Sequence, residues 1–129
     1  MSGRIKGPGI IWVQSNISKA PNNPLTEELF LRWYDEEHIP EVIKTSGIHR
    51  AFRCLHVNKT SAHGTSECPK PFLAFYPMSD LGFTQGAEFK QIKVKSDILP
   101  GTGICYDMAD LDVGYHGLVG KTGTGKQGK

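Results

Sequence analysis

The chain has 129 residues, 38% of them apolar and 22% charged, which suits one domain with a single core and excludes a disordered polymer. Its formal net charge of +2 is misleading, because Lys121, Lys126 and Lys129 sit in a tail from Leu118 that has no acidic residue. Residues 1–117 alone hold twelve basic and thirteen acidic side chains, a net of −1, so no basic face for nucleic acid is expected.

In chain order, "PGIIWVQSNIS" (8–18) is rich in β-branched and aromatic residues, is bounded by turn formers, and reads as a strand. Both of its parities are partly apolar, Ile10/Trp12 on one and Ile11/Val13 on the other, as expected for a sheet covered on both faces. "PLTEELFLRWYDEEHIPEVIKTSG" is the clearest helix. Thr26 is a good N-cap, Glu27 and Glu28 suit the first turn, and Leu25 can staple onto Phe30. Phe30, Tyr34 and His38 follow one another at i, i+4 and i+8, with Trp33 and Glu37 on the adjoining row. Pro40 disfavours helix at Ile39 and then opens a short second turn through Ile43, which Gly47 terminates.

"IHRAFRCLHV" (48–57) and "PFLAFYPM" (71–78) read as strands separated by a polar loop, with Pro77 placing the second near its end or at an edge. A weaker helix is expected from about Gln85 to Val94, with Phe89 and Ile92 inward, and "GICYDMADLDVGYHG" (103–117) supplies a fourth strand. The order β-α-β-β-α-β predicts an α+β, ferredoxin-like subunit with a four-stranded antiparallel sheet over residues 1–117. Helices cover one face of such a sheet, and a second copy is the simplest cover for the other, so a homodimer is expected. Residues 118–129 read as a flexible Gly/Lys-rich tail.

Several chemistries have little support. Gly120, Gly125 and Lys126 mimic a phosphate-binding loop, but Gln127 replaces the magnesium-binding hydroxyl and too few residues follow to build a helix. His49, His56, His63, Cys68 and His116 lack tight ligand spacing, so no metal is expected, and no cofactor fingerprint is present. There is no run of about 18 apolar residues and no export signal, so no membrane association is expected. Three cysteines, Cys54, Cys68 and Cys105, form no C-x-x-C pair and fit reduced thiols in a cytoplasmic protein.

The helix end carries the chemistry. His38 occupies a place where the inner stripe calls for an apolar residue. An imidazole with an ordinary pKa of about 6.5 moves protons near neutral pH. Asp35, three residues earlier, is placed to fix its tautomer, and Tyr34 to donate to a developing oxyanion. The competing reading is structural: a histidine in a last helical turn caps carbonyls and opposes the dipole.

The stretch "FLRWYDEEHIPEVIKTSGIHRAFRC" resembles the helix-to-strand segment of the dimeric α/β-barrel superfamily, and its EthD-like branch in particular. The matching element is W-Y-D-x-E-H-I-P followed by Gly and Arg, here Trp33, Tyr34, Asp35, Glu37, His38, Ile39, Pro40, Gly47 and Arg53. The resemblance covers about 25 residues, and relatives often have tyrosine where this chain has Cys54. It implies subunits paired sheet to sheet, a cavity between each sheet and its helices, and His38 as acid–base. Two roles for Arg53 stay open: anchoring a substrate carboxylate or phenolate, or pairing with Asp35 or Glu37. Trp12, Phe30, Trp33, Phe75 and Tyr106 are the candidate pocket lining, though they are equally the residue types that fill a core. The expected function is a cofactor-independent lyase or isomerase (decarboxylase, dehydratase or cyclase) on a small aromatic or polyketide-like molecule. The alternatives are a cofactor-free quinol monooxygenase and a non-catalytic small-molecule-binding dimer.

Overall fold

A computed structural model describes residues 5–123. The chain is α+β, built on a four-stranded antiparallel sheet with few helices, an arrangement compatible with a ferredoxin-like fold. The strands are β1 (Gly9–Ile17), β2 (Phe52–Leu55), β3 (Phe72–Met78) and β4 (Ala109–Gly117), in the order β2-β3-β1-β4. β1 is central and pairs along its length with β3 and β4, bringing Trp12 opposite Phe75 on one side and Gly114 on the other.

Strand parity builds the core. Ile11, Val13 and Ile17 of β1 and Phe72, Ala74, Tyr76 and Met78 of β3 are buried on the face that takes the helices. Trp12, Phe75 and Phe52 stand on the opposite face, where the rings stack in a row: Phe52 on Phe75 at 4.9 Å between centroids and Phe75 on Trp12 at 5.5 Å. Pro77 lies near the end of β3, beyond the last residue that β2 pairs. There it deprives no β2 neighbour of a ladder bond.

Helix α1 (Glu27–Trp33) begins as its sequence dictates, with the Thr26 side chain accepting from the Leu29 amide at 3.2 Å. Leu25 and Phe30, the staple pair, are both buried, Phe30 completely. Burying that ring contributes about 2–3 kcal/mol. The helix then widens. Tyr34–His38 is a single π-turn, in which the Ile39 amide donates to the Tyr34 carbonyl, and α2 (Ile39–Ile43) continues from it. Pro40 supplies the cause, because it has no amide to donate and its ring would meet the carbonyl four residues back in a straight α-helix. One extra residue in the turn relieves that collision.

Other elements are shorter than their sequence suggests. The helix expected over 85–94 is reduced to α3 (Ala87–Lys90), preceded by a 3₁₀ turn at Leu81–Gln85. Gly86 between them is fully extended (φ −93°, ψ 173°), and four residues are too few to propagate a helix. β4 starts at Ala109 instead of 103, because Gly101 and Gly103 turn the chain at positive φ and Cys105–Asp107 forms a 3₁₀ turn. β2 holds four residues instead of ten, as a short edge strand. Gly47 lies beyond the end of α2 and serves packing, since a Cβ there would fall 2.2 Å from the Phe83 ring.

The loop of residues 58–70 is tied to the end of β1. The His63 ring nitrogen Nδ1 lies 3.0 Å from the Ile17 carbonyl, Asn16 donates to the His63 carbonyl at 3.1 Å, and Lys59 pairs with Glu27. Of the expected tail, residues 118–123 are described and exposed, whereas 124–129 lie outside the described residues together with Gly125, Lys126 and Gln127. Among the described residues no helix is long and apolar enough to cross a membrane.

Candidate active site

A cavity of about 480 Å³ lies between the helical layer and the inner sheet face. That volume is in the range, roughly 300–1,000 Å³, that small-molecule sites occupy. The sheet contributes Ile11, Val13, Tyr76, Leu111 and Tyr115; the helix contributes Trp33, Tyr34, His38 and Val42. Thr84, Phe89, Lys90, Ile92 and Cys105, among others, add to the wall from the segments around α3 and the second 3₁₀ turn.

The π-turn decides which rings meet. Residues five apart diverge on an α-helix, but the widened turn brings Trp33 and His38 onto one face. Their rings stack at 4.5 Å with 14° between planes, while Tyr34 meets His38 edge-on at 5.7 Å. Phe30 closes the cluster from behind, edge-on to Tyr34 at 5.2 Å. His38 thus departs from the apolar stripe where it borders a hollow.

Burial sets the proton chemistry. Desolvation lowers His38 from 6.5 to about 4, with the neighbouring Glu37 carboxylate opposing in part, so the imidazole is neutral at pH 7. Its Nδ1 is buried with no hydrogen-bond partner, and so is Oε1 of Glu37. Two of the phenols on the wall, Tyr34 and Tyr76, are deeply buried. Burial, reinforced by Tyr76, Cys105 and Tyr106, holds the Tyr34 hydroxyl well above its ordinary pKa. The Ser15 hydroxyl pulls weakly the other way, without reaching the geometry of a hydrogen bond. Desolvation likewise raises Tyr76, with the Arg53 charge opposing. The Cys105 thiol is pushed up to about 12 by burial, which leaves it protonated and a poor nucleophile.

His38 and the aromatic residues singled out from sequence divide into three groups. Trp33, Tyr34, His38 and Tyr106 line the cavity, Tyr106 at its rim with 63% exposure. Phe30 is wholly inside the core and supports the site without lining it. Trp12 and Phe75 are removed from the cavity by strand parity, since they stand on the far side of the sheet.

Asp35 and Arg53 also differ from expectation. Asp35 does not orient His38; its Oδ1 accepts from Arg53 Nε at 2.9 Å and Nη2 at 2.6 Å. Arg53 reaches across from the inner side of β2, and its guanidinium lies 5.8 Å from the centre of the Tyr34 ring. Of the two roles left open for it, the carboxylate pair is the one present.

Sequence reasoning missed Tyr76, Cys105, Thr84, Tyr115 and Lys90. Tyr76 had a signal: it holds the buried parity of β3 beside Phe72, Ala74 and Met78, where a phenol needs a reason. Cys105 and Thr84 lie in 3₁₀ turns that the sequence did not signal, whereas Lys90 and Tyr115 lie in the expected helix and strand and carried no sign of which face meets a cavity.

Among the described residues no three His, Cys, Asp or Glu side chains cluster as metal ligands would. No family model matches the chain, and no curated protein or solved structure does either.

Proposed function

We propose that the chain is a cofactor-independent lyase or isomerase of EthD-like type, acting on a small aromatic or polyketide-like molecule in the cavity beside His38. The observation that carries this reading is a neutral imidazole, with an unpartnered buried nitrogen, on the wall of an apolar hollow that also presents the buried, protonated phenols of Tyr34 and Tyr76.

A carbon acid next to a carbonyl loses its proton to His38 while Tyr34 and Tyr76 donate hydrogen bonds to the enolate oxygen. An imidazole held near 4 is a weak base in the empty site. It gains basicity only as negative charge develops beside it, so proton removal and enolate formation are coupled. Returning the proton at another atom gives isomerisation, and expelling hydroxide from the carbon next to the enolate, with the His38 proton going to the leaving oxygen, gives dehydration. In decarboxylation the enolate forms instead by loss of carbon dioxide from a β-keto carboxylate, stabilised by the same phenols, and is then protonated at carbon. Attack by the enolate on a second carbonyl gives cyclisation.

The outer sheet face supports a homodimer of dimeric α/β-barrel form. Phe52, 42% exposed, extends a stacked row with Phe75 and Trp12 across three strands, an apolar patch of the kind proteins cover by association.

The test is turnover of a panel of aromatic and polyketone acids by wild type, His38→Gln and Tyr34→Phe, with oxygen uptake followed in parallel. The proposal expects product without oxygen consumption, a pH dependence lost in His38→Gln, and a rate lowered about 10²-fold or more in each variant. Oxygen uptake with substrate would favour a monooxygenase instead. Unchanged rates in folded variants would remove these residues from the chemistry.

A further inference from the structure

Resting on that reading of the cavity, we infer that Lys90 is its specificity determinant and selects substrates carrying a carboxylate at the end nearest solvent. Arg53, for which anion anchoring was one of two open roles, pairs with Asp35 and is not part of the wall. Two cations do line the cavity, Lys90 and Lys93. Lys93 is already neutralised, its ammonium lying 2.6 Å from Oε2 of Glu37. Lys90 belongs to none of the ion pairs among the described residues, and no carboxylate is among the lining residues. The lining therefore carries one uncompensated charge, and it is positive.

The segment that presents Lys90 is fastened on both sides. Before it, both carboxylate oxygens of Glu88 accept from Ser46, one from the amide at 2.9 Å and the other from the hydroxyl. After it, the Lys93 amide donates to Glu41 at 2.9 Å, while its ammonium holds Glu37. These tethers join α3 and its exit to the helix that carries His38, so the backbone at Lys90 is held beside the cavity. Less ordering is then required on binding.

Depth gives the substrate an orientation. Tyr34 and Tyr76 are buried, 3% and 5% exposed, and offer neutral hydrogen-bond donors; Lys90 is exposed and offers charge. A flat molecule with carbonyl or phenol oxygens at one end and a carboxylate at the other satisfies both ends. A carboxylate held at Lys90 remains partly hydrated and is not the group that reacts beside His38. Dehydration, isomerisation or cyclisation at the inner end is therefore favoured over loss of that carboxylate.

The experiment measures affinity, by calorimetry, for a hydroxynaphthoic acid and for its methyl ester in wild type, Lys90→Ala, Lys90→Arg and Lys90→Glu. The acid is expected to bind about three- to fivefold tighter than the ester in wild type, the size of one exposed charge contact. That preference disappears in Lys90→Ala, persists in Lys90→Arg and reverses in Lys90→Glu. An acid preference that survives Lys90→Ala, or equal binding of acid and ester by wild type, would overturn the assignment of Lys90 while leaving the cavity as a ligand site. Failure of both probes to bind would overturn the cavity reading itself, and the role of Lys90 with it.

Discussion

Replacing His38 with phenylalanine removes an imidazole that the fold holds far below its ordinary pKa. In the native protein this ring stays neutral down to about pH 4, whereas in the unfolded chain it takes up a proton near 6.5. Between those values the unfolded state binds more protons, so stability falls as pH falls, by about 1.4 kcal/mol per unit. From pH 6.5 to pH 5 the wild type loses about 1.5 kcal/mol through this group, because the unfolded ring is only half protonated at pH 6.5, and His38→Phe loses none of it. At pH 7 the variant is at least as stable as wild type, because an unpartnered buried nitrogen, which costs about 1–3 kcal/mol, is replaced by carbon. Urea unfolding at a series of pH values above 5, followed by tryptophan fluorescence, measures both effects. Staying above pH 5 keeps the depressed carboxylates out of the comparison. Glu37, drawn down chiefly by Lys93, Asp80 by backbone amides and Glu88 by Ser46 lose their contributions only at lower pH. Equal slopes in the two proteins, or an NMR titration of His38 centred near 6.5, would refute the claim that this ring is desolvated.

Three further outcomes follow from packing and geometry. Phe30→Ala, at a fully buried ring beneath the site, is expected to cost about 3–5 kcal/mol in denaturant unfolding. Gly47→Ala forces a methyl group into the Phe83 ring and is expected to destabilise by about 1–3 kcal/mol, with Phe83→Leu in the same chain recovering part of the loss. Asp35→Ala is expected to change stability by no more than about 1 kcal/mol, because the Asp35 carboxylate is largely exposed; a larger loss would mean that the Arg53 pair holds Tyr34 in place.

Sequence patterning made the sheet and the first helix legible for local reasons. Thr26, Leu25 and Phe30 act within one turn of each other, and strand parity needs only alternation, so their roles survive into the fold. The π-turn was only half legible. Pro40 announced a break at Ile39, but the chain resolves the conflict by widening rather than ending its helix. That change pairs His38 with Trp33 instead of aligning it with Asp35. Trp12 and Phe75 show a different limit. Both parities of β1 are apolar, and alternation alone does not say which one meets the helices. The α3 region was misread because its apolar spacing is helical, while Gly82 and Gly86 favour tight and extended backbone. Lys90 falls within the helix as expected, but a helix cut to four residues gave no pattern that would place its side chain on a cavity wall.

The most direct test of proton transfer in the cavity is exchange of the acidic C–H hydrogens of a β-polyketone carboxylic acid in deuterated water, followed by proton NMR with and without protein. Exchange accelerated by wild type, slowed at least about 10²-fold in His38→Gln and faster for the free acid than for its ester is the expected result. A bound acid whose exchange is no faster than in buffer, or equally fast with His38→Gln, would contradict the account.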